Sequence, residues 1–184
     1  MPYNVPTITT NDISFGPAVI YMGVAGATPS IDVGAIGEDG VSIEITSEKK
    51  IIYQGNPKTP CYTFSQTQGV KLGFTSIEWD FTHLAYALGA AATYTDSSDL
   101  SFAMGGDPIV TEVAVHMKHY MAVTGNTMNV YMWKMASEGG LTIPFGQDEH
   151  MFEMNFIAMR SATDWGGTAL NEKQQLMRLT RDVA

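Results

Sequence analysis

The chain has 184 residues, a net charge of −9 and only 16% charged residues, with 18 glycines and 12 methionines. That length predicts one domain able to bury its own core without staples. The low charge argues against disorder, and the lack of basic clusters argues against adhesive nucleic-acid binding. Residues 1–48 carry Asp12, Asp32, Glu38, Asp39, Glu44 and Glu48 and no Lys or Arg. An acidic surface repels DNA, which suits a wall that DNA slides past. No 18-residue apolar run is present, so no transmembrane helix and no membrane insertion are expected, and the N-terminus lacks the pattern of a secretory signal. The single Cys61 has no intrachain partner for a disulfide and reads as a plain strand residue, which fits a cytosolic chain.

In chain order, residues 1–16 read as an N-terminal arm, 17–162 as one β-rich domain and 163–184 as a C-terminal tail with some helical character. "PAVIYMGVAG" (17–26) predicts an apolar strand, and "ATPSIDVGAIGEDG" a loop by its Pro, Asp and Gly. In "VSIEITSEKKIIYQG", Val41, Ile43 and Ile45 alternate with Ser42, Glu44 and Thr46. This predicts a projecting β-hairpin over about 41–55 with a polar tip at Ser47, Glu48, Lys49 and Lys50. "CYTFSQTQGVKLGF" (61–74) predicts two short strands around Gly69. Thr75-Ser-Ile-Glu78 has the spacing of a capping box, so a helix is expected over about 76–88, ending at Gly89. Its apolar face is Ile77, Phe81, Leu84, Ala85 and Leu88. A second stripe of Trp79, His83 and Tyr86 predicts packing on a neighbouring subunit.

Residues 90–108 read as a long polar loop. "IVTEVAVHMKHYMAV" and "TMNVYMWKMAS" around "TGN" predict an antiparallel hairpin, and "MFEMNFIAMRSA" (151–162) a strand covered on both faces. The fold class is therefore mainly β, a sandwich or barrel with one flanking helix.

Candidate chemistry is sparse. If Asp32 is placed at position 1 of a calcium loop, positions 3, 5 and 12 fall on Gly34, Ile36 and Ile43, which offer no side-chain oxygen. The glycines read better as tight turns. His116 and His119 of "HMKH" point to opposite faces of a strand, so one metal site cannot use both. "GAIGEDG" lacks the GK[ST] ending of a phosphate loop. No nucleophile and base pair can be named. No enzyme activity, cofactor or metal is expected. The Met and aromatic residues of the strands supply more apolar surface than one small domain needs to hide, which predicts self-association.

The order of landmarks resembles the major tail tube proteins of bacteriophages. They are "FGPAVIYMGVAGATPSIDVGAIGEDGVSIEI", the polar "TSEKK", "GVKLGFTSIEWDFTHLAYALG", a late hairpin and "ASEGGLTIPFGQDEHMFEMNFIAM", together spanning residues 15–162. The resemblance implies a β-sandwich-like core and hexameric rings whose inner strands join into a barrel, stacked into a tube in the virion tail after assembly in the host cytoplasm. It also implies a hairpin reaching the adjacent ring, here with Ser47, Glu48, Lys49 and Lys50. The implied partners are further copies of the chain, a tape measure protein, tail initiation or baseplate and terminator proteins, and a sheath if the tail contracts. DNA would pass the lumen without sequence-specific binding, and six copies of −9 give −54 per ring. An inner tube of a tailocin or contractile injection system, or a tail completion protein, fits the same pattern. A soluble β-sandwich module binding carbohydrate or calcium is the alternative from another class.

Overall fold

A computed structural model describes residues 16, 18–78, 80–89, 93–95, 100–102, 110–121, 125–140, 142 and 151–182. The expected N-terminal arm, Trp79 and most of the 90–108 and 141–150 connectors lie outside the described residues. Among the described residues the chain is mainly β with one short α-helix, as its alternating patterns predict. Its strands are β1 (Ala18–Val24), β2 (Ile31–Asp32), β3 (Ile36–Gln54), β4 (Thr59–Ser76), β5 (Thr93–Thr95), β6 (Leu100–Phe102), β7 (Val113–Tyr120), β8 (Thr127–Ser137), β9 (Phe152–Ala158) and β10 (Arg178–Arg181). Eight of them form one antiparallel sheet in the order β2-β1-β7-β8-β9-β4-β3, with β10 also on β8. β5 and β6 pair separately inside the segment expected to be loop.

The period of two decides which face is buried. Ile20 and Met22 of β1, Val115 and Met117 of β7, Val130 and Met132 of β8, and Val70, Leu72 and Phe74 of β4 all enter one core. Phe152, Met154 and Phe156 of β9 join them, with Phe156 stacked on Phe74 at 6.2 Å between ring centroids. Glu153 and Asn155 are exposed, so β9 is buried on one face and not on both. The apolar residues in its other register are few, and only Ile157 is half-covered.

The helix, α1 (Phe81–Ala87), starts later than expected. Thr75 still pairs with Glu153 in the sheet, so it has the wrong backbone path to cap a helix. Asp80 is the N-cap instead, its carboxylate accepting from the Thr82 N–H at 2.6 Å. Glu78 reaches across to the acidic glycine loop, where its Oε1 accepts from the Ala35 N–H at 3.0 Å. Gly34, at φ +77°, has no Cβ to obstruct that carboxylate. Leu84 and Ala87 then seal the core.

The C-terminal segment is also folded rather than a tail. After a 3₁₀ turn at Glu172–Gln174, β10 pairs Arg178 with Tyr131 and Arg181 with Met128. The Trp133 indole N–H donates to the Gln174 carbonyl at 2.8 Å, and the Asp182 N–H donates to Thr127 at 2.9 Å. β8 therefore offers one edge to β7 and divides the other between β10 and β9.

The two caps make opposite predictions. Asp80→Ala should lower unfolding stability by about 1 kcal/mol in urea melts, whereas Thr75→Val, which removes the hydroxyl a capping box needs, should leave the helix start intact. Burial alone would raise the Asp80 carboxyl, but the Thr82 hydrogen bonds and nearby His83 outweigh it and hold it below its ordinary value. A carboxyl depressed in the fold stabilises above its unfolded value, and that contribution fades as pH falls through the folded one. The Asp80→Ala deficit should therefore shrink in acid below the usual carboxylate range.

Candidate functional site

The most distinctive surface grows out of β3 and β4. Their ladder runs from Val41 opposite Phe74 through Ile45 opposite Val70 to Gln54 opposite Thr59. The turn falls at Gly55–Lys58, so Ser47, Glu48, Lys49 and Lys50 lie midway along the strand and not at a tip. The strand continues through them because poor strand formers are tolerated where both faces are wet and cross-strand bonds supply the pairing. Glu48 accepts from the Thr67 hydroxyl at 2.6 Å, and the Ser47 and Ser65 hydroxyls lie 3.2 Å apart. Gly69 does not split β4 either. The Thr46 hydroxyl donates to its carbonyl at 3.4 Å, and a Cβ added at Gly69 would lie 2.9 Å from the Thr46 hydroxyl oxygen. The expected hairpin of 41–55 is thus one arm of a longer ribbon.

Every residue from Glu44 to Gln68 is exposed. β9 pairs with β4 only over Lys71–Ser76, and β3 is an edge strand throughout. Beyond its root, where residues 45–47 and Gln68 border the C-terminal segment, the ribbon therefore has two open edges and two open faces among the described residues. At about 3.3 Å per residue it projects on the order of 30 Å. Its side chains are not those of a solvated loop. Ile45 is 63% exposed, Tyr53 55%, and Ile51 and Ile52 45% each. Tyr62 (64%) stacks on Phe64 (37%) at 6.3 Å, with Ile52 opposite Tyr62 on the same face. A lone two-stranded ribbon is marginal in water, and an open apolar edge invites another chain.

The arm also differs from the body in charge. Residues 45–68 hold Lys49, Lys50 and Lys58 against Glu48, a net +2. The remaining chain then carries −11, since the whole is −9. Cys61 is an exposed strand residue whose thiol donates to the Ile52 carbonyl at 3.2 Å.

The helix stripe expected to meet a neighbour behaves differently. His83 is only 2% exposed, buried within its own subunit, so it offers no outward contact surface. Tyr86 is half-buried against the core, and its hydroxyl is shifted up by burial.

On the sheet face away from the core, an aromatic cluster covers β7 and β8. His116 stacks on Tyr131 at 4.8 Å, Tyr131 on Trp133 at 5.5 Å, and Trp165 meets Trp133 edge-on at 5.0 Å. A cleft of about 510 Å³ opens beside it, with Asp164, Arg178 and Asp182 at its margin. His116 Nε2 lies 3.2 Å from the Asn129 side-chain oxygen, and the Asn129 amide donates to Asp182 at 3.3 Å. Met117 and His119 fall on the core face, so the two histidines point to opposite sides as expected. No group of three His, Cys, Asp or Glu side chains that could hold a metal occurs among the described residues.

Burial lowers the His116 affinity for a proton; the Asn129 contact opposes this and the Lys118 charge adds to it, with a net downward shift. A histidine depressed in the fold favours the neutral form, so stability declines as pH falls below the unfolded value near 6.5. Wild-type urea midpoints should drop more between pH 7.5 and pH 5 than those of His116→Gln. A second outcome concerns the arm: Ile52→Thr with Tyr62→Thr should change monomer stability by no more than about 0.5 kcal/mol per site, because neither side chain is in the core.

Comparison with protein-family models gave no match, and comparison with curated proteins found no similar sequence.

Proposed function

We propose that this chain is a structural subunit of a bacteriophage tail tube, forming stacked hexameric rings around a channel for DNA and performing no catalysis. The observation that carries this reading is the bare β3–β4 arm. It holds six large apolar side chains in water: Ile45, Ile51, Ile52, Tyr53, Tyr62 and Phe64. Taking such a side chain from full exposure to full burial contributes about 1.5–3 kcal/mol; these six are 37–64% exposed, so covering the remainder contributes roughly half of that each, before ordering and association costs reduce it. A chain that makes such an arm gains by placing it on another subunit.

The charge distribution supports the same reading. A body at −11 gives a ring that repels DNA phosphates, so a passing duplex finds no adhesive surface. Further copies are the principal partner; tape measure, initiation or baseplate and terminator proteins, with a sheath in a contractile tail, complete the assembly. The inner tube of a tailocin or injection system would use the same subunit physics, and neighbouring capsid genes separate the two.

Negative-stain microscopy of the purified protein, alone and with tail initiation partners, should show rings or tubes. Persistent monomers at high concentration under both conditions would exclude the proposal. Lys49→Glu with Lys50→Glu changes the arm from +2 to −2 and should shorten or abolish tubes while the urea midpoint stays near wild type. Tubes of unchanged length in that variant would remove the arm from the assembly.

A further inference from the structure

We infer that the pocket at the root of the arm receives the aromatic knob of a second copy's arm, so that copies join head to tail. This rests on the tail tube reading and names the contact within it.

The pocket lies where the ribbon leaves the sheet and the C-terminal segment packs against it. Its cavity measures about 250 Å³ and is walled by Ile45 and Val70 from the ribbon and by Leu176 and Met177 from the segment after the 3₁₀ turn, with Glu172 and Lys173 at its rim. Leu176 and Met177 reach the core only in part, leaving apolar surface toward the opening. The space suits one aromatic ring with its neighbours resting on the rim.

The occupant comes from the same chain's composition. Tyr62 and Phe64 stack on each other and stand with Ile52 on one face of the arm. Aromatic anchors entering a preformed pocket are the usual centre of an interface. Within one subunit the knob cannot serve its own pocket. Tyr62 lies six residues beyond Gln68 along β4, roughly 20 Å for an extended strand. The arm at +2 and the rest of each copy at −11 favour an encounter between one copy's arm and another copy's body, while the pocket's own Glu172 and Lys173 cancel, so the seat itself is set by apolar fit. Knob and pocket are different surfaces of one chain, and a heterologous pair of this kind propagates as a ring or a filament rather than stopping at a dimer.

Two single-cysteine chains test this, both carrying Cys61→Ser to remove the native thiol. One adds Ile52→Cys, which sits opposite Tyr62 on the knob face and keeps both aromatic rings, the other Glu172→Cys, and one bears a tag so that their dimers differ in mass. They are mixed at concentrations where wild type assembles, oxidised gently and run on a non-reducing gel. The unlike dimer should exceed either like dimer by at least about tenfold. In parallel, Tyr62→Ser with Phe64→Ser should reduce assembled material at least about tenfold while circular dichroism stays that of wild type. If wild type assembles but like dimers predominate, or no crosslink forms, the knob and pocket do not meet and the tube reading survives without them. If wild type does not assemble at all, both fall.

Discussion

One pairing governs the molecule: the antiparallel ladder between β3 and β4, which continues well beyond the sheet that supports it. From Val41 to Ile45 it is anchored, because β4 also pairs with β9 and sends Val70, Leu72 and Phe74 into the core. Past Gly69 the support ends, yet the pairing does not. A ribbon with two open edges and apolar side chains on both faces has few long-range contacts to hold it. Its register rests on backbone bonds and short polar pairs such as Glu48 with Thr67. The body must therefore fix the ribbon's base firmly, and the arm's apolar side chains stay exposed among the described residues.

The rest of the architecture serves that base. Glu78 ties the end of β4 to the loop before β3 through Ala35, so the ladder is tethered at the end opposite the arm and its body half is held in place. The C-terminal segment closes the remaining edge of β8 and forms one wall of the pocket beside the arm. The aromatic cluster around Tyr131 and Trp165 covers the second face of β8, where the segment is held by Trp133 and Asn129. Lys71 and Glu138 add an ion pair at the junction, half-exposed and therefore of small energetic weight.

Alternation made much of this legible in advance. β1, β7, β8 and the core face of β9 follow directly from spacing of Ile, Val, Met and Phe, and so does the placement of His116 and His119 on opposite sides. Alternation is lost where burial does not shape the sequence. A strand wet on both faces has no apolar period, so Ser47–Lys50 reads as a tip although the ladder runs through it. The capping spacing at Thr75 and Glu78 was misleading because both residues already had partners distant in sequence, Glu153 and Ala35. β10 is short and polar, and only its contact with β8 reveals it as a strand. Of the expected contact residues, Ser47 to Lys50 do lie on the projecting element, His83 is interior, and Trp79 is outside the described residues.

The central claim is that the β3–β4 arm is an assembly element. Hydrogen exchange, read segment by segment in dilute monomer and in concentrated assembled protein, tests it most directly. The account predicts rapid exchange over residues 45–68 in the monomer and strong protection there on assembly, with the β7–β8 core slow in both. Assembled protein whose 45–68 amides still exchange as in the monomer would contradict it.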